Sequence, residues 1–203
     1  MTPRQAHKPS IALENVAVIR GNRLVLDRFS LNVAAGHIVW IRGANGTGKS
    51  TLLRLIAGLL PRASGEMKIE GSVALADENL ALDPNLPLEK VLDFWADMDR
   101  TSPDIREAAL TAIDLVPLAD VPVRYLSSGQ RKRANLSRLF ASQTSVWLLD
   151  EPYNGLDSAS ATRLDAALLR HANAGGIALV AAHQSPSINV AQSILLDRQV
   201  AAA

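Results

Sequence analysis

The stretch "GANGTGKS", Gly43 to Ser50, limits what this chain can fold into more than any other. It fits G-x-x-x-x-G-K-[ST] without a mismatch and lies between a short β-branched apolar run, "HIVWIRG" (37–43), and a helical pattern, "KSTLLRLIAGLL". Strand, glycine loop and helix in that order form a phosphate cradle. Glycines let the backbone wrap closely and aim N–H groups at an anion beside the positive end of the helix dipole. The candidate nucleotide ligands are therefore Gly43, Ala44, Asn45, Gly46, Thr47, Gly48, Lys49, Ser50 and Thr51. Lys49 supplies a point charge for β- and γ-phosphate oxygens, and Ser50 offers its hydroxyl to Mg2+.

Around this loop the pattern alternates. "IALENVAVI" (11–19) and "LVLDRFSLNV" (24–33) predict strands joined by a turn at Gly21-Asn22. The helix after the loop places Leu52, Leu55, Ile56 and Leu59 on one face, and Pro61 is expected to end it. "GEMKIEGSVAL" (65–75) predicts a hairpin or a pair of edge strands. From about 83 to 143 the spacing turns helical, punctuated by Pro84, Pro87, Pro103 and Pro117, which predicts an inserted helical lobe. "SVWLLDEP" (145–152) is an apolar strand ending in two acids. "ASATRLDAALLRHANA" is a helix closed by Gly175-Gly176, and "IALVAAH" is another buried strand ending at His183. Near-continuous apolar strands alternating with helices imply an α/β fold with a mostly parallel sheet covered on both faces.

Composition narrows the function. The 203 residues suit one domain, or one domain with an inserted lobe. A formal net charge of +1 gives no global attraction to nucleic acid or to an anionic membrane, so no nucleic-acid partner is expected. The chain has no cysteine, which excludes a disulfide scaffold, a thiolate metal site and a cysteine nucleophile. The start, "MTPRQAHKPS", has no apolar core of a signal peptide, and no run of about 18 apolar residues appears. Any membrane role is expected to come through a partner.

Two further groups carry chemistry. Asp150 stands at the carboxyl end of its strand, where open parallel sheets gather ligands, and would hold Mg2+ directly or through water. Glu151 either caps the turn at Pro152 or acts as the general base on an attacking water; beside a phosphate loop the base is the better reading. His183 ends a core strand on the same edge and could hydrogen-bond a γ-phosphate, whereas His7, His37 and His171 are taken as structural. "YLSSGQRKR" (125–133) opens a helix with small polar residues and then three cations. That makes it either an anion site or a helix cap with a solvated basic face.

The order GANGTGKS, LSSGQ, LLDEP, Gly155-Leu156-Asp157 and His183 resembles the nucleotide-binding subunits of ABC transporters, over nearly the whole chain. The resemblance implies one ATPase domain over 1–203, with an antiparallel β subdomain beside the parallel core and about 83–143 as a helical subdomain. It implies ATP and Mg2+, catalytic roles for Glu151 and His183, and metal contacts from Ser50 and Asp150. It also implies that Ser127, Ser128, Gly129 and Gln130 close on the nucleotide of a second subunit packed head to tail. The second strand of chemistry in "YLSSGQRKR" would then meet a partner's phosphate within a homodimer, itself docked on integral membrane permease subunits. Short length, Gln184 after His183, Pro186, and Tyr153 in "DEPYNGLD" resemble more narrowly the ATP-binding subunits of the haem exporter in c-type cytochrome biogenesis. That resemblance implies a peripheral position on the cytoplasmic face of a bacterial inner membrane.

Two positions depart from the wider family. An aromatic residue that stacks on adenine is usual before the first turn, and here "VAVIRGN" offers Ile19 and Arg20. A glutamine usual after the hairpin strands is replaced in "ALADENLALD", where Glu78 or Asn79 must stand in. Besides the haem exporter, the ATPase of another small-substrate transporter and a soluble ABC ATPase without a membrane partner remain alternatives.

Overall fold

The computed structural model describes residues 8–77 and 82–197. Glu78, Asn79, His7 and the terminal "VAAA" lie outside them. Two antiparallel strands, β1 (Ser10–Arg20) and β2 (Arg23–Ala34), are joined by the turn at Gly21-Asn22. Then come β3 (Ile38–Arg42), the phosphate loop and α1 (Lys49–Ile56). β4 (Ser64–Glu70) returns to the far side of β1, giving a three-stranded antiparallel sheet in the order β2-β1-β4.

Beyond Gly71 the chain changes sheets. β5 (Val73–Ala76) pairs not with β4 but in parallel with β6 (Val146–Asp150). Of the two forms expected for residues 65–75, the structure takes the pair of edge strands, one in each sheet. The second sheet is parallel throughout, in the order β5-β6-β7-β3-β8, with β7 at Ile177–Ala181 and β8 at Gln192–Leu195.

All ten residues of β6 and β7 are buried. Successive side chains go to opposite faces, so both faces must be apolar. Val146, Leu148, Ile177 and Leu179 join Leu52, Leu53, Leu55 and Ile56 of α1 and the inner side chains of the antiparallel sheet. Trp147, Leu149, Ala178 and Val180 pack instead against Leu164, Ala167 and Leu168 of α5 (Ser158–Asn173). Helices α2 (Leu88–Met98), α3 (Pro103–Ala112) and α4 (Ser128–Ala141) share a third cluster built on Leu88, Val91, Leu110, Ile113, Leu115 and Leu126.

The first helix ends earlier than Pro61 suggests. Gly58 takes φ 73°, its N–H donates to the Leu55 carbonyl and the Leu59 N–H donates to the Arg54 carbonyl. This is the left-handed termination that glycine favours. It turns Leu59 out to solvent, 64% exposed, so Leu59 leaves the apolar face to which its spacing assigned it.

His171 is held inside the α5 layer. Its ring stacks on Trp147 with centroids 3.9 Å apart, and Nε2 lies 3.2 Å from the Ile177 carbonyl oxygen. Gly176 leaves room for it, since a Cβ there would sit 2.3 Å from Nε2. Burial is the main cause that lowers the His171 pKa below its ordinary value, against the backbone hydrogen bonds that favour the charged form. The folded protein therefore binds this proton less readily than the unfolded chain, whose histidines titrate near pH 6.5. Its contribution to stability is fully present above that pH and is lost as pH falls below it. Urea midpoints at pH 7.5 and 5.5 should drop more for the wild type than for His171→Phe; an equal drop would remove His171 from the acid sensitivity.

Candidate functional site

The phosphate loop is shaped by close approaches that exclude side chains. A Cβ on Gly43 would lie 2.4 Å from the Leu196 carbonyl oxygen and 2.6 Å from Thr47 Oγ1. One on Gly48 would lie 2.9 Å from Val25 Cγ1. Gly48 is also the N-cap of α1, and neither a side-chain cap nor an acidic residue occupies the first turn. The amide donors and positive dipole end of α1 are thus kept for an external anion.

Lys49 is buried, and its ammonium donates to the Gly43 carbonyl at 2.8 Å while lying 3.5 Å from Glu151 Oε1. Glu151 turns the chain with φ 48°, and its N–H donates to the Ala181 carbonyl at 2.8 Å, which extends the β6–β7 pairing by one residue. His183, at the end of the neighbouring strand, brings Nε2 to 2.8 Å from Asn45 Oδ1 and 3.5 Å from Glu151 Oε1. Two acceptor oxygens around Nε2 place the ring proton there. The His183 N–H also donates to Glu151 Oε2 at 3.4 Å. Loop, lysine, acid and histidine therefore form one connected set. Lys49 is thus shared between the loop carbonyl of Gly43 and the Glu151 carboxylate.

A cleft of about 590 Å³ joins this set to Ser50, Thr51, Asp150, Arg20, Arg23 and Val25. Arg54, also on its wall, is tied to Asp77 at 3.2 Å. Ser50 and the buried Asp150 bring only hard oxygen donors, and the described residues hold no cluster of three or more His, Cys, Asp or Glu that could cage a metal. Few protein oxygens beside a phosphate site suit Mg2+, which keeps water and phosphate ligands.

The second anion stretch does not line this cleft. Ser127 is the N-cap of α4, accepting from the Gln130 N–H at 3.2 Å while the Gln130 side chain accepts from the Ser127 N–H at 2.7 Å. That reciprocal box engages the N–H groups of Ser127 and Gln130 and not those of Ser128 and Gly129. The last of the three following cations, and a further arginine of α4, serve the helical region itself. Arg133 donates to the Ile113 carbonyl at 3.0 Å, and the Arg138 guanidinium lies 3.3 Å from the Trp95 ring centroid. Asp157, after Gly155-Leu156, caps α5 by accepting from the Ser160 N–H at 2.7 Å, and hydrogen bonding from Ser160, its hydroxyl first and then this N–H, holds its carboxyl below the usual range.

Spacing alone did not point to three residues here. Arg23 reaches the cleft because a two-residue turn sets it opposite Arg20. Asp165 and Ser187 complete a network with Tyr153. The Tyr153 hydroxyl donates to Asp165 Oδ1, and the Ser187 N–H donates to Asp165 Oδ2 at 3.1 Å. Burial, and then the hydrogen bond to Asp165, push the Tyr153 hydroxyl far above the ordinary phenol range, so it stays a donor. An acid among the buried positions of "RLDAALL" was the available signal. The loops after Glu151 and after His183 are thereby fastened to one buried carboxylate on α5. Tyr153→Phe should leave Asp165 short of a donor and cost about 1–3 kcal/mol, a Tm drop of roughly 2–12 °C. Thermal unfolding within a degree of wild type would show that the phenol does not hold this carboxylate.

Comparison with known proteins agrees with this geometry. A family model described as ABC transporter matches residues 26–154. A relative from Sphingopyxis alaskensis, named Cytochrome c biogenesis ATP-binding export protein CcmA, is 49% identical over 173 residues, 85% of this chain and 89% of its own. A protein of the same name from Zymomonas mobilis is 49% identical over 192 residues, 94% of this chain and 86% of its own. Among solved structures, an ABC transporter ATP-binding protein from Pyrococcus furiosus superposes with a TM-score of 0.81 at 21% identity, covering 92% of this chain and 97% of that one. A bacterial Atm1-family ABC exporter with ATP bound gives 0.84 at 20% identity, covering 96% of this chain and 38% of that one. A phosphate loop, an acid pair and a histidine at one sheet edge, together with these relatives, establish that the chain belongs to the ABC transporter family, among its cytochrome c biogenesis ATP-binding export proteins.

Proposed function

We propose that this chain binds and hydrolyses ATP as the engine of a haem exporter in c-type cytochrome biogenesis, working as a homodimer on membrane permease subunits. The observation that carries the hydrolytic reading is the meeting of Lys49 and His183, each 3.5 Å from Glu151 Oε1, at the mouth of the phosphate loop. The loop amides, the N-terminus of α1 and Lys49 hold the triphosphate. Ser50 and Asp150 would hold Mg2+, which neutralises charge on the phosphate oxygens when bound. Glu151 takes the proton of a water that attacks the γ-phosphorus as the bond to ADP breaks. His183 donates its Nε2 proton, now given to Asn45, to a γ-phosphate oxygen and so responds to its loss.

The domain reading is one ATPase unit over 1–203 with a helical subdomain at about 83–143. Because Ser127 and Gln130 satisfy each other, Ser128 and Gly129 supply the amides for a partner's γ-phosphate. On α2, Phe94 and Met98 stand four residues apart and are 56% and 62% exposed, an apolar step suited to a permease. No described helix is long and apolar enough to cross a membrane, which suits a peripheral place on the cytoplasmic face of the inner membrane. Haem as cargo is supported by the relatives' naming for cytochrome c biogenesis export and by Tyr153, Gln184 and Pro186.

Glu151→Gln keeps size and hydrogen bonding but cannot take the proton, so ATP should still bind while hydrolysis falls by about 10²- to 10⁴-fold. A strain carrying it should lose covalent c-type haem bands and keep b-type cytochromes; normal c-type staining would favour another cargo. The shared site has its own test. Ser128→Asp suits the positive end of α4, so the monomer should fold and bind ATP normally. In a closed interface that carboxylate would face a phosphate, a clash of several kcal/mol. Ser128→Asp and Lys49→Ala subunits, each inactive alone, should regain partial hydrolysis when mixed. No recovery on mixing would sink the shared site.

A further inference from the structure

We propose that Asp165 is a positioning residue for hydrolysis, holding the segment that carries His183 against the phosphate loop from the buried side of α5. This rests on the ATPase reading above. His183 begins an irregular connection, 183–190, between β7 and β8. Among the described residues none of its main-chain groups is hydrogen-bonded to another main-chain group. Its two ends are fixed, since the N–H groups of Ala182 and Ala191 donate to the Ile41 and Ile38 carbonyls of β3. Between those ends two carboxylates take its amides. Glu151 Oε2 accepts from the His183 N–H at 3.4 Å, and Asp165 Oδ2 accepts from the Ser187 N–H at 3.1 Å. Ile188 and Val190 also pack against the cluster beneath α5, but apolar packing is non-directional and fixes no register.

The two carboxylates differ in their other duties. Glu151 is the proposed base, and its Oε1 also faces Lys49 and His183 Nε2. Asp165 does not line the nucleotide cleft. It is 7% exposed, and its neighbours Leu164 and Leu168 root α5 in the core. Its Oδ1 accepts from the hydroxyl of Tyr153, two residues past Glu151, so both carboxylate oxygens are held. Both partners are donors, and an ionised carboxylate only accepts, so the residue type suits the place. Asp165 thus gives the histidine segment an anchor independent of the base.

The test is steady-state ATP hydrolysis by the full chain in Mg2+, with ATP affinity measured beside it. Asp165→Leu keeps a branched side chain without acceptors. It should lower kcat about ten- to hundredfold, the effect of a misplacement near 1 Å, while ATP affinity stays within about twofold. Asp165→Asn can accept from Ser187 through its oxygen and donate to the phenol through its amide, so kcat should stay within about threefold of wild type. Ser187→Pro, at an exposed position, deletes one N–H without touching α5 and should repeat the kcat loss even if the leucine variant does not fold. In a His183→Ala background each loss should shrink to less than about twofold, because residues that act as a unit are not additive. The same loss in that background as in the wild type would show a merely structural role and overturn the inference. So would an unchanged kcat in both Asp165→Leu and Ser187→Pro. Those outcomes leave the ATPase reading standing, whereas a wild type that hydrolyses no ATP would overturn both together.

Discussion

The ladder between β6 and β7 carries the site. Asp150 pairs with Ala181, and the Glu151 N–H reaches one residue further to the same carbonyl. Both strands are buried on both faces, so neither can slide without exposing apolar side chains. That immobility lets a non-glycine residue hold φ 48° at Glu151, a conformation worth roughly 1–3 kcal/mol of strain. The carboxylate is aimed by the backbone rather than by a flexible loop. Lys49 then reaches it from the end of the loop after β3, and His183 from just past β7.

The helical region is joined to this core by α4. Its Ala134 belongs to the cluster of α2 and α3, while Leu136 and Leu139 belong to the sheet cluster beneath α5. One rigid helix thus touches both bodies, and its first turn carries Ser127 to Gln130. A tilt of the helical region would carry those amides with it. Gly129 marks how tight the junction is, since a Cβ there would meet the Gly155 carbonyl at 3.0 Å.

Much of this was legible in the sequence because burial on both faces writes itself as unbroken apolar runs. β3, β6, β7, α1 and α5 follow from their residues, and so do the candidate residues at their ends. Less legible was what depends on partners distant in sequence. β8 (Gln192–Leu195) is largely exposed and short, so nothing in its composition marks a strand that exists by pairing with β3. The sheet change at Gly71 leaves the same local pattern as a hairpin. Leu59 has core spacing, yet a glycine two residues past the end of α1 turns it outward. Asp165 stands among buried positions of its helix, but its two donors, Tyr153 and Ser187, arrive from loops on either side of α5 in the chain, so its spacing did not name them.

Gly43 has a wider consequence. The carbonyl that crowds it belongs to Leu196, whose own N–H donates to Arg42, so the floor beneath the phosphate loop comes from the far end of the described chain. During synthesis the loop and α1 emerge early, but their last neighbour is added only after β7 and β8 have been made. Closing such long-range pairs is the slow part of folding. A nascent chain would therefore carry the whole phosphate motif for most of its synthesis without a finished cradle, and nucleotide could not engage it until the sheet had closed.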